Sequence, residues 1–539
     1  MKSPFACVAA VLVFASGASS GWAQSVSSAP DPLPVPSVPY LYEAISQIRG
    51  RINNYLQASH VPGLAIAVVH GGKVVYSQGF GVANMDTGAK VDADTVFQLA
   101  SISKSLSSTV ISTQVSAGKL SWSMPIREGL PWFALGTGSS NGINWVSQNV
   151  SLGDMYSHRS GLPDHAGDDL EGLGYDQKTI LEQLRYLPLM PFRASYAYTN
   201  YGLQAAAEAA AAKVGVPWVQ LVDQAILRPL GMSRTTSVYQ AYISLPNHAI
   251  GHSPANDDPD GIWRVSPAQA NLDRTPAAGG ISSSANDMAK WMIMLLAGGK
   301  APDRTQLIAP VVLRDSMAAH SIPTLAADAT LESNNYLNGY GFATGQTHNG
   351  LKMASHAGAL GQGTSTNFEV VPALDLGIVV LTNGFPVGLP EAITTDFIDL
   401  AQFGNLRTDA WGTYQTLFRQ AIKAAFGVSS VSGNPPTGAK PARPLAQYVG
   451  KYHNDYFGDA VVTVVNGALQ LRMGPVDGGV TWILTHWDGD IFKLQQGTMD
   501  ASQTTVSAVT FDLSGPQATL THEYYQGTSH GLGTLTRVQ

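Results

Sequence analysis

The sequence predicts an α+β fold, with one antiparallel sheet flanked by helices, a helical lobe inserted into it, and a small all-β barrel behind. Three observations lead there. β-rich runs stand at both ends of a long helical middle, at 64–69 and 73–77 and again at 374–381. After a Ser/Gly/Pro-rich stretch at 428–444, the pattern changes to short strands punctuated by Gly, Asn and Asp. Of 539 residues, 44% are hydrophobic and only 13% charged, which is enough apolar material for more than one core and excludes wholesale disorder.

The elements follow in order. Lys2, an apolar run from Phe5 to Ala15, and Gly21-Trp22-Ala23 predict a cleavable signal peptide over 1–23 and a periplasmic or secreted protein. Cys7, the sole cysteine, falls inside that segment, so the mature chain is expected to be cysteine-free, as suits an oxidising compartment. Residues 24–38 read as a Pro/Ser-rich linker. Ile45, Ile48, Ile52 and Leu56 mark a helix over 42–56. The runs 64–69 and 73–77, joined by His70-Gly71-Gly72, form a hairpin signal. Helices are predicted over 101–118, 205–214 and 287–297, and a buried strand over 374–381. The first folded domain is placed at 39–404. An amphipathic helix at 409–426 and a linker fill 405–444, and strands at 460–465, 468–472, 491–495, 508–513 and 518–524 make a barrel domain of 445–539.

A net charge of −7 gives no reason to hold a phosphate backbone, so nucleic acid is not expected as a partner. No stretch of 18 apolar residues follows the leader, so no membrane span is expected in the mature chain. A single cysteine excludes internal disulfides and multi-cysteine metal sites. Asn256-Asp257-Asp258-Pro259-Asp260-Gly261 hints at a calcium loop, but its twelfth position is Pro267. His248 and His252 stand among Pro246 and Gly251 rather than on a helix, so no metal and no cofactor are expected. Gly-x-Ser-x-Gly occurs at 17–21 and 138–142, in the leader and in a Gly/Ser/Asn loop, neither of which is a strand-to-helix elbow.

The sharpest chemical signal is Ser101-Ile102-Ser103-Lys104. Three residues apart on a helix, Ser101 and Lys104 share a face. Ser101 at the helix start would meet free N–H groups and the positive end of the dipole. Lys104, set among apolar and hydroxyl residues, would lose hydration, which favours the neutral amine that can take the serine proton. Alone, the pair also fits a capping serine and a surface lysine. In Tyr196-Ala197-Tyr198-Thr199-Asn200, Tyr198 and Asn200 are two apart and point the same way in an extended loop. Next to an ammonium the phenol is expected to hold phenolate character and relay a proton, and the amide to bind a substrate carbonyl. Ser355-His356-Ala357-Gly358-Ala359 precedes a strand-like run at 364–371. Gly358 would let a substrate approach the backbone, and the Ala359 N–H would pair with that of Ser101 as an oxyanion hole.

In this order the motifs resemble the serine β-lactamase and penicillin-binding-protein superfamily, the SxxK acyl-transferases. They look most like the class C β-lactamase-related hydrolases, a group of esterases, D-aminopeptidases and lactamases. Val61 to Val68, Ser157-His158-Arg159-Ser160-Gly161-Leu162-Pro163 and Ala278 to Asp287 extend the resemblance over about 39–404. It implies a β-lactamase-like sheet, Ser101 as the acylated nucleophile, Lys104 and Tyr198 as general base and acid, and Asn200, His356, Gly358 and Ala359 in substrate binding. Two departures stand out. His356-Ala357 replaces the Lys-Thr that holds a β-lactam carboxylate, which favours an ester or a peptide-like amide over a lactam. His356 is expected to titrate near its ordinary value of roughly 6.5. Phe192 stands where the family often has Gly. Residues 448–454, 469–475 and 486–492 resemble the lipocalin-like barrel appended to some of these hydrolases, which implies roles in assembly, including a homo-oligomer, and in access to the site. A plainer reading makes it a stabilising accessory with Trp487 in its core. The expected partner is a small-molecule or peptide substrate. The alternatives are a β-lactamase or DD-peptidase, or a non-catalytic relative that binds peptidoglycan or a partner.

Overall fold

The computed structural model describes residues 37–140, 142–255, 258–323, 337–425, 429–497 and 505–538. The expected leader, nearly all of the 24–38 linker, Asn256, Asp257, Phe426 and Val428 lie outside the described residues. Among those described, no helix is long and apolar enough to cross a membrane.

Helix α1 spans Leu41–Ser59 and leads into the hairpin β1 Gly63–His70 and β2 Lys73–Gly81. Helix α2 follows at Ile102–Ser116, α3 is a single turn at Asp168–Gly172, α4 is Asn200–Val214 and α5 is Ala285–Leu296. The chain then returns to the sheet with β3 Leu337–Asn338, β4 Ala343–Gln346, β5 Lys352–Leu360, β6 Thr364–Val371 and β7 Leu376–Thr382, closing with α6 Leu389–Phe403 and α7 Ala410–Ala425. The sheet order is β2-β1-β7-β6-β5-β4-β3, antiparallel throughout. Residues from the two ends of the domain meet at its centre, with Leu64 opposite Thr382 and Val68 opposite Ile378.

The two-residue period of the strands builds two cores. Leu64, Ile66, Val68, Ile378 and Val380 face α1, α6 and α7. Ala65, Ala67, Val69, Val379 and Leu381 face the other way, in the core that holds Met288, Trp291 and Met292 of α5 and Ile102, Leu106, Val110 and Ile111 of α2. The small Ala65 and Ala67 leave room for these large side chains. Helix α2 is buried around its circumference although it is rich in hydroxyls. Part of the cost is offset by partners from other elements, since Ser105 Oγ donates to the Gly341 carbonyl at 2.6 Å and Thr109 Oγ1 receives the Trp291 indole N–H at 3.1 Å. The Ala-rich α4 is buried beside it in the helical lobe.

The second domain is a closed barrel of β8 Gly450–Asn454, β9 Gly458–Val465, β10 Ala468–Met473, β11 Val480–Asp488, β12 Ile491–Gln495, β13 Val506–Asp512, β14 Thr519–His522 and β15 Thr534–Val538. Three of these strands are additional to the sequence expectation. In β11 the inward Trp482 and Leu484 alternate properly, but a bulge between His486 and Asp488 breaks the period. The short β8 and β15 pair with each other, Lys451 opposite Val538, to close the barrel. The strand expected over 518–524 ends at His522, and Glu523–Thr528 is a helix, α8. Trp487 is buried with Val431 and Ala508 in a small cluster of its own, not among the barrel's central side chains. The barrel packs on the helical lobe. Tyr175 donates to the Phe457 carbonyl at 2.6 Å, and a Cβ on Gly174, which has φ +92°, would come within 2.4 Å of the Gly478 carbonyl oxygen.

Candidate active site

The chain approaches Ser101 along a short ribbon, Val96–Gln98 paired with Ser282–Ser284. Ala100 then takes φ 48°, a left-handed value a non-glycine residue adopts at a cost, and turns the chain into α2. Ser101 caps that helix by position only, because its side chain makes no capping bond. Its Oγ instead accepts from Lys104 Nζ at 3.0 Å and from the Tyr198 hydroxyl at 2.8 Å. Lys104 is 0% exposed, so the capping serine and surface lysine are not what the structure holds. Nζ also donates to Asn200 Oδ1 at 2.7 Å and to the Ala278 carbonyl at 2.9 Å.

Each partner is set by its own element. Ala278 lies in a glycine turn tied to α2 by the Ile281 N–H on Ser103 Oγ at 3.0 Å and to α4 by the Ala277 N–H on Gln204 Oε1 at 2.9 Å. Asn200 is the first residue of α4 rather than part of an extended loop, yet it and Tyr198 both reach the Ser101–Lys104 pair. Burial strips water from the Lys104 ammonium and pushes it down to about 7, with Asp168 pulling the other way. The same burial pushes the Tyr198 phenol up, only partly offset by its bond to Ser101. The expected phenolate is therefore corrected, because at neutral pH Tyr198 is a neutral donor.

The third motif lies on β5. Strand β4 pairs with β5 only as far as Ser355, which, among the described residues, leaves the outer edge of 356–360 without a strand neighbour. Gly358 is required by the protein itself. A Cβ there would fall 2.2 Å from the Leu99 carbonyl oxygen and 3.0 Å from Ala100 Cβ, so its bareness lets the sheet edge close on the turn before Ser101. Thr366 Oγ1 fastens that contact, donating to the Leu99 carbonyl at 2.8 Å. The Ala359 methyl packs into the core on the α6 side. His356 Nδ1 lies 2.6 Å from the Ala357 carbonyl. Burial, then the Lys104 charge, hold its imidazole down to about 3, so the expected titration near 6.5 is overturned. Phe192 stacks edge-on against Trp145, ring centroids 5.6 Å apart, beneath the Arg193 guanidinium.

Sequence reasoning missed the layer behind Tyr198. Asp168 Oδ2 accepts from Asn200 Nδ2 at 2.9 Å and pairs with His165 Nδ1 at 2.7 Å. The Tyr198 N–H donates to Asp164 Oδ1 at 2.8 Å, and the His158 ring lies 4.6 Å from the Tyr198 ring. Burial drives His158 well down, to the neutral form, and Lys104 adds to it. His165 goes the other way. Burial opposes its charge, but Asp164 and Asp168 together raise it. His158 and Asp168 had no legible signal beyond a motif of Ser and Gly and a run of acids. Among the described residues, no group of three or more His, Cys, Asp or Glu could hold a metal ion.

Comparison with known proteins bears on the family and the fold. The Beta-lactamase family model matches residues 48–403, and a domain of unknown function, DUF3471, matches 434–526. The chain is 26% identical to the unguisins hydrolase ungD of Aspergillus violaceofuscus (strain CBS 115571), over 86% of this chain and 80% of that protein. It is 26% identical to penicillin-binding protein 4 of Amycolatopsis lactamdurans, over 62% of this chain and 84% of that protein. In fold it is similar to an octameric penicillin-binding protein homologue from Pyrococcus abyssi, with TM-score 0.55 and 19% identity over 92% of this chain and all of that one. A class C beta lactamase from Rhodobacter sphaeroides matches with TM-score 0.51 and 20% identity, over 65% of this chain and 97% of that one.

Proposed function

The chain belongs to the β-lactamase family of serine hydrolases, and from that premise we propose that it cleaves uncharged esters or peptide-like amides, D-amino-acid amides among them, through an acyl-enzyme on Ser101. The observation that carries the proposal is the Ser101 Oγ held between Lys104 Nζ at 3.0 Å and the Tyr198 hydroxyl at 2.8 Å.

The mechanism follows from counting hydrogens. A neutral Lys104 amine has two N–H bonds, and Asn200 Oδ1 and the Ala278 carbonyl accept both. The third N–H, which the ammonium gives to Ser101 Oγ, is gone in the neutral amine, so the contact reverses and the Nζ lone pair accepts from the Ser101 hydroxyl. As Oγ bonds to the substrate carbonyl carbon, the hydroxyl proton passes to Lys104, and the N–H groups of Ser101 and Ala359 receive the oxyanion. Tyr198 then gives its proton to the leaving oxygen or nitrogen as that bond breaks, and is recharged from Lys104. Water enters, the neutral pair takes its proton, and the collapse of the second tetrahedral intermediate returns that proton to Ser101.

The preference for uncharged substrates rests on His356. An imidazole held down to about 3 offers no cation to a substrate carboxylate at neutral pH. A β-lactam forfeits a charge-assisted hydrogen bond worth about 1.5–3 kcal/mol, whereas a neutral acyl group loses nothing. Export rests on Lys2, the apolar run 5–15 and Gly21-Trp22-Ala23. Assembly through the barrel is part of the same reading, because its outer face exposes Val461, Val465, Ile483 and Val538.

The test is mass spectrometry after incubation with a fluorophosphonate, on wild type and Ser101→Ala. A panel of alkyl esters, D-amino-acid amides and a chromogenic cephalosporin follows. The reading requires one adduct on Ser101 and turnover of neutral acyl substrates ahead of the cephalosporin. An undiminished adduct in Ser101→Ala refutes it.

A further inference from the structure

We propose that the C-terminal barrel is a positioning element of the site: Tyr456 and Ser529 hold Asp169, and so set its neighbours Asp168 and Asp164 against Asn200 and Tyr198. The inference rests on the reading of Ser101 as nucleophile.

The segment 164–169 has two sides. Toward the site, Asp164 Oδ1 takes the Tyr198 N–H at 2.8 Å, the His165 N–H donates to the Tyr198 carbonyl at 2.7 Å, and Asp168 Oδ2 takes Asn200 Nδ2 at 2.9 Å. Toward the barrel, Asp169 Oδ1 takes the Tyr456 hydroxyl at 2.6 Å, and Asp169 Oδ2 takes the Ser529 hydroxyl. His530 Nε2 stands 3.2 Å from the Asp164 carbonyl. Tyr456 and Ser529 are each 2% exposed, so these bonds are not surface contacts shared with water.

The segment needs that support. α3 is five residues long, starts at Gly167 with no side chain to cap it, and carries Asp168, Asp169 and Glu171 in its first turn. Isolated helices so short do not hold themselves, and adjacent carboxylates repel. Burial raises Asp169 to about 6, and the Ser529 and Tyr456 hydroxyls oppose that rise. Without them a buried carboxylate is left short of donors, and the turn gives way to rehydrate it. Asp168 moves with Asp169, and Asn200 loses the group that aims its amide at Lys104. The groups facing Lys104 are Asp168, Tyr198, His158, His165 and His356, and Asp168 alone among them raises it.

The test uses the full chain and the second-order rate of phosphonylation by a fluorophosphonate across roughly pH 5 to 9, with Tm recorded for each variant. The variants are Tyr456→Phe with Ser529→Ala, Asp169→Asn, and the control Ser139→Ala, which removes the Ser139–Asp455 bond between lobe and barrel without touching 164–169. The expected result is a plateau rate about tenfold lower in the double variant and in Asp169→Asn. The acid midpoint of the profile moves to lower pH, because Asp168 retreats from Lys104, and Ser139→Ala keeps the wild-type rate and midpoint. A folded double variant with wild-type rate and midpoint overturns the proposal, as does an equal loss in Ser139→Ala. If the double variant does not fold, Tyr456→Phe alone is judged on the same two readouts. Ser101→Ala runs beside them. If it labels like wild type, the reading of Ser101 fails, and this inference with it. If its labelling is abolished while the barrel variants stay at wild type, only the inference fails.

Discussion

The two faces of the large sheet bury titratable groups in opposite senses. On the face toward α2, Lys104 is driven down to about 7. On the face toward α6, burial drives Glu369 up to about 7, Glu391 up to about 8 and Asp396 up to about 6. The physical cause is the same, since dry surroundings penalise whichever form is charged. The outcomes differ because of what each group faces. Glu369 Oε1 accepts from Thr394 Oγ1 at 2.8 Å and Asn367 Nδ2 at 3.2 Å, both themselves buried. Lys104 faces the hydroxyl of a serine that is only half-buried. A perturbed group becomes chemistry where it meets a nucleophile that a substrate can reach, and otherwise it is part of a core.

The largest expected effect is on the α2 face. Ser101→Ala should remove at least about 10³-fold of turnover, measured as kcat/KM on an alkyl ester. Lys104→Ala and Tyr198→Phe should each cost nearly as much as the two together, because both act on one proton path. Additive losses in the double variant would mean that they work separately. On the α6 face the effect is on stability and much smaller. The folded values of Glu369 and Glu391 lie above their ordinary 4.5, so their contribution is fully present below about pH 4.5 and is lost as pH rises through about 7 to 8. Tm should fall across that window, and Glu391→Gln should flatten the fall by about 2–4 °C while leaving kcat/KM at wild type. A loss of activity in Glu391→Gln would break the division between the faces. At the third motif, His356→Lys should raise relative turnover of a carboxylate-bearing lactam by roughly tenfold. No change would mean that the third motif does not meet the substrate's charge.

The sheet and its centre were legible because alternation and helical spacing are local. Ile45, Ile48 and Ile52 announced α1, and 64–69 with 73–77 announced the hairpin. The barrel was legible in its middle strands and not at its seam, because β8 and β15 pair across nearly the whole domain and β11 carries a bulge. In the site, Ser101, Lys104 and Tyr198 stood out by residue type and spacing, and their convergence is what the structure adds. The protonation states did not follow from sequence, because they depend on burial. Tyr198 and His356 were both expected to be more easily charged than their surroundings allow. Asp168 and Asp169 were invisible as partners, because one turn of helix turns neighbouring residues toward different domains.

The central claim is that Lys104 is a neutral amine aimed at Ser101. The pH dependence of Ser101 phosphonylation by a non-titrating fluorophosphonate tests it directly, since fluoride leaves without needing an acid and the observed rate then reports the base alone. The account predicts a rate that rises with pH through a midpoint near 7, the value burial gives Lys104, and a rise that disappears in Lys104→Ala. A midpoint near the ordinary lysine value of about 10.4, or a profile unchanged by Lys104→Ala, would contradict it.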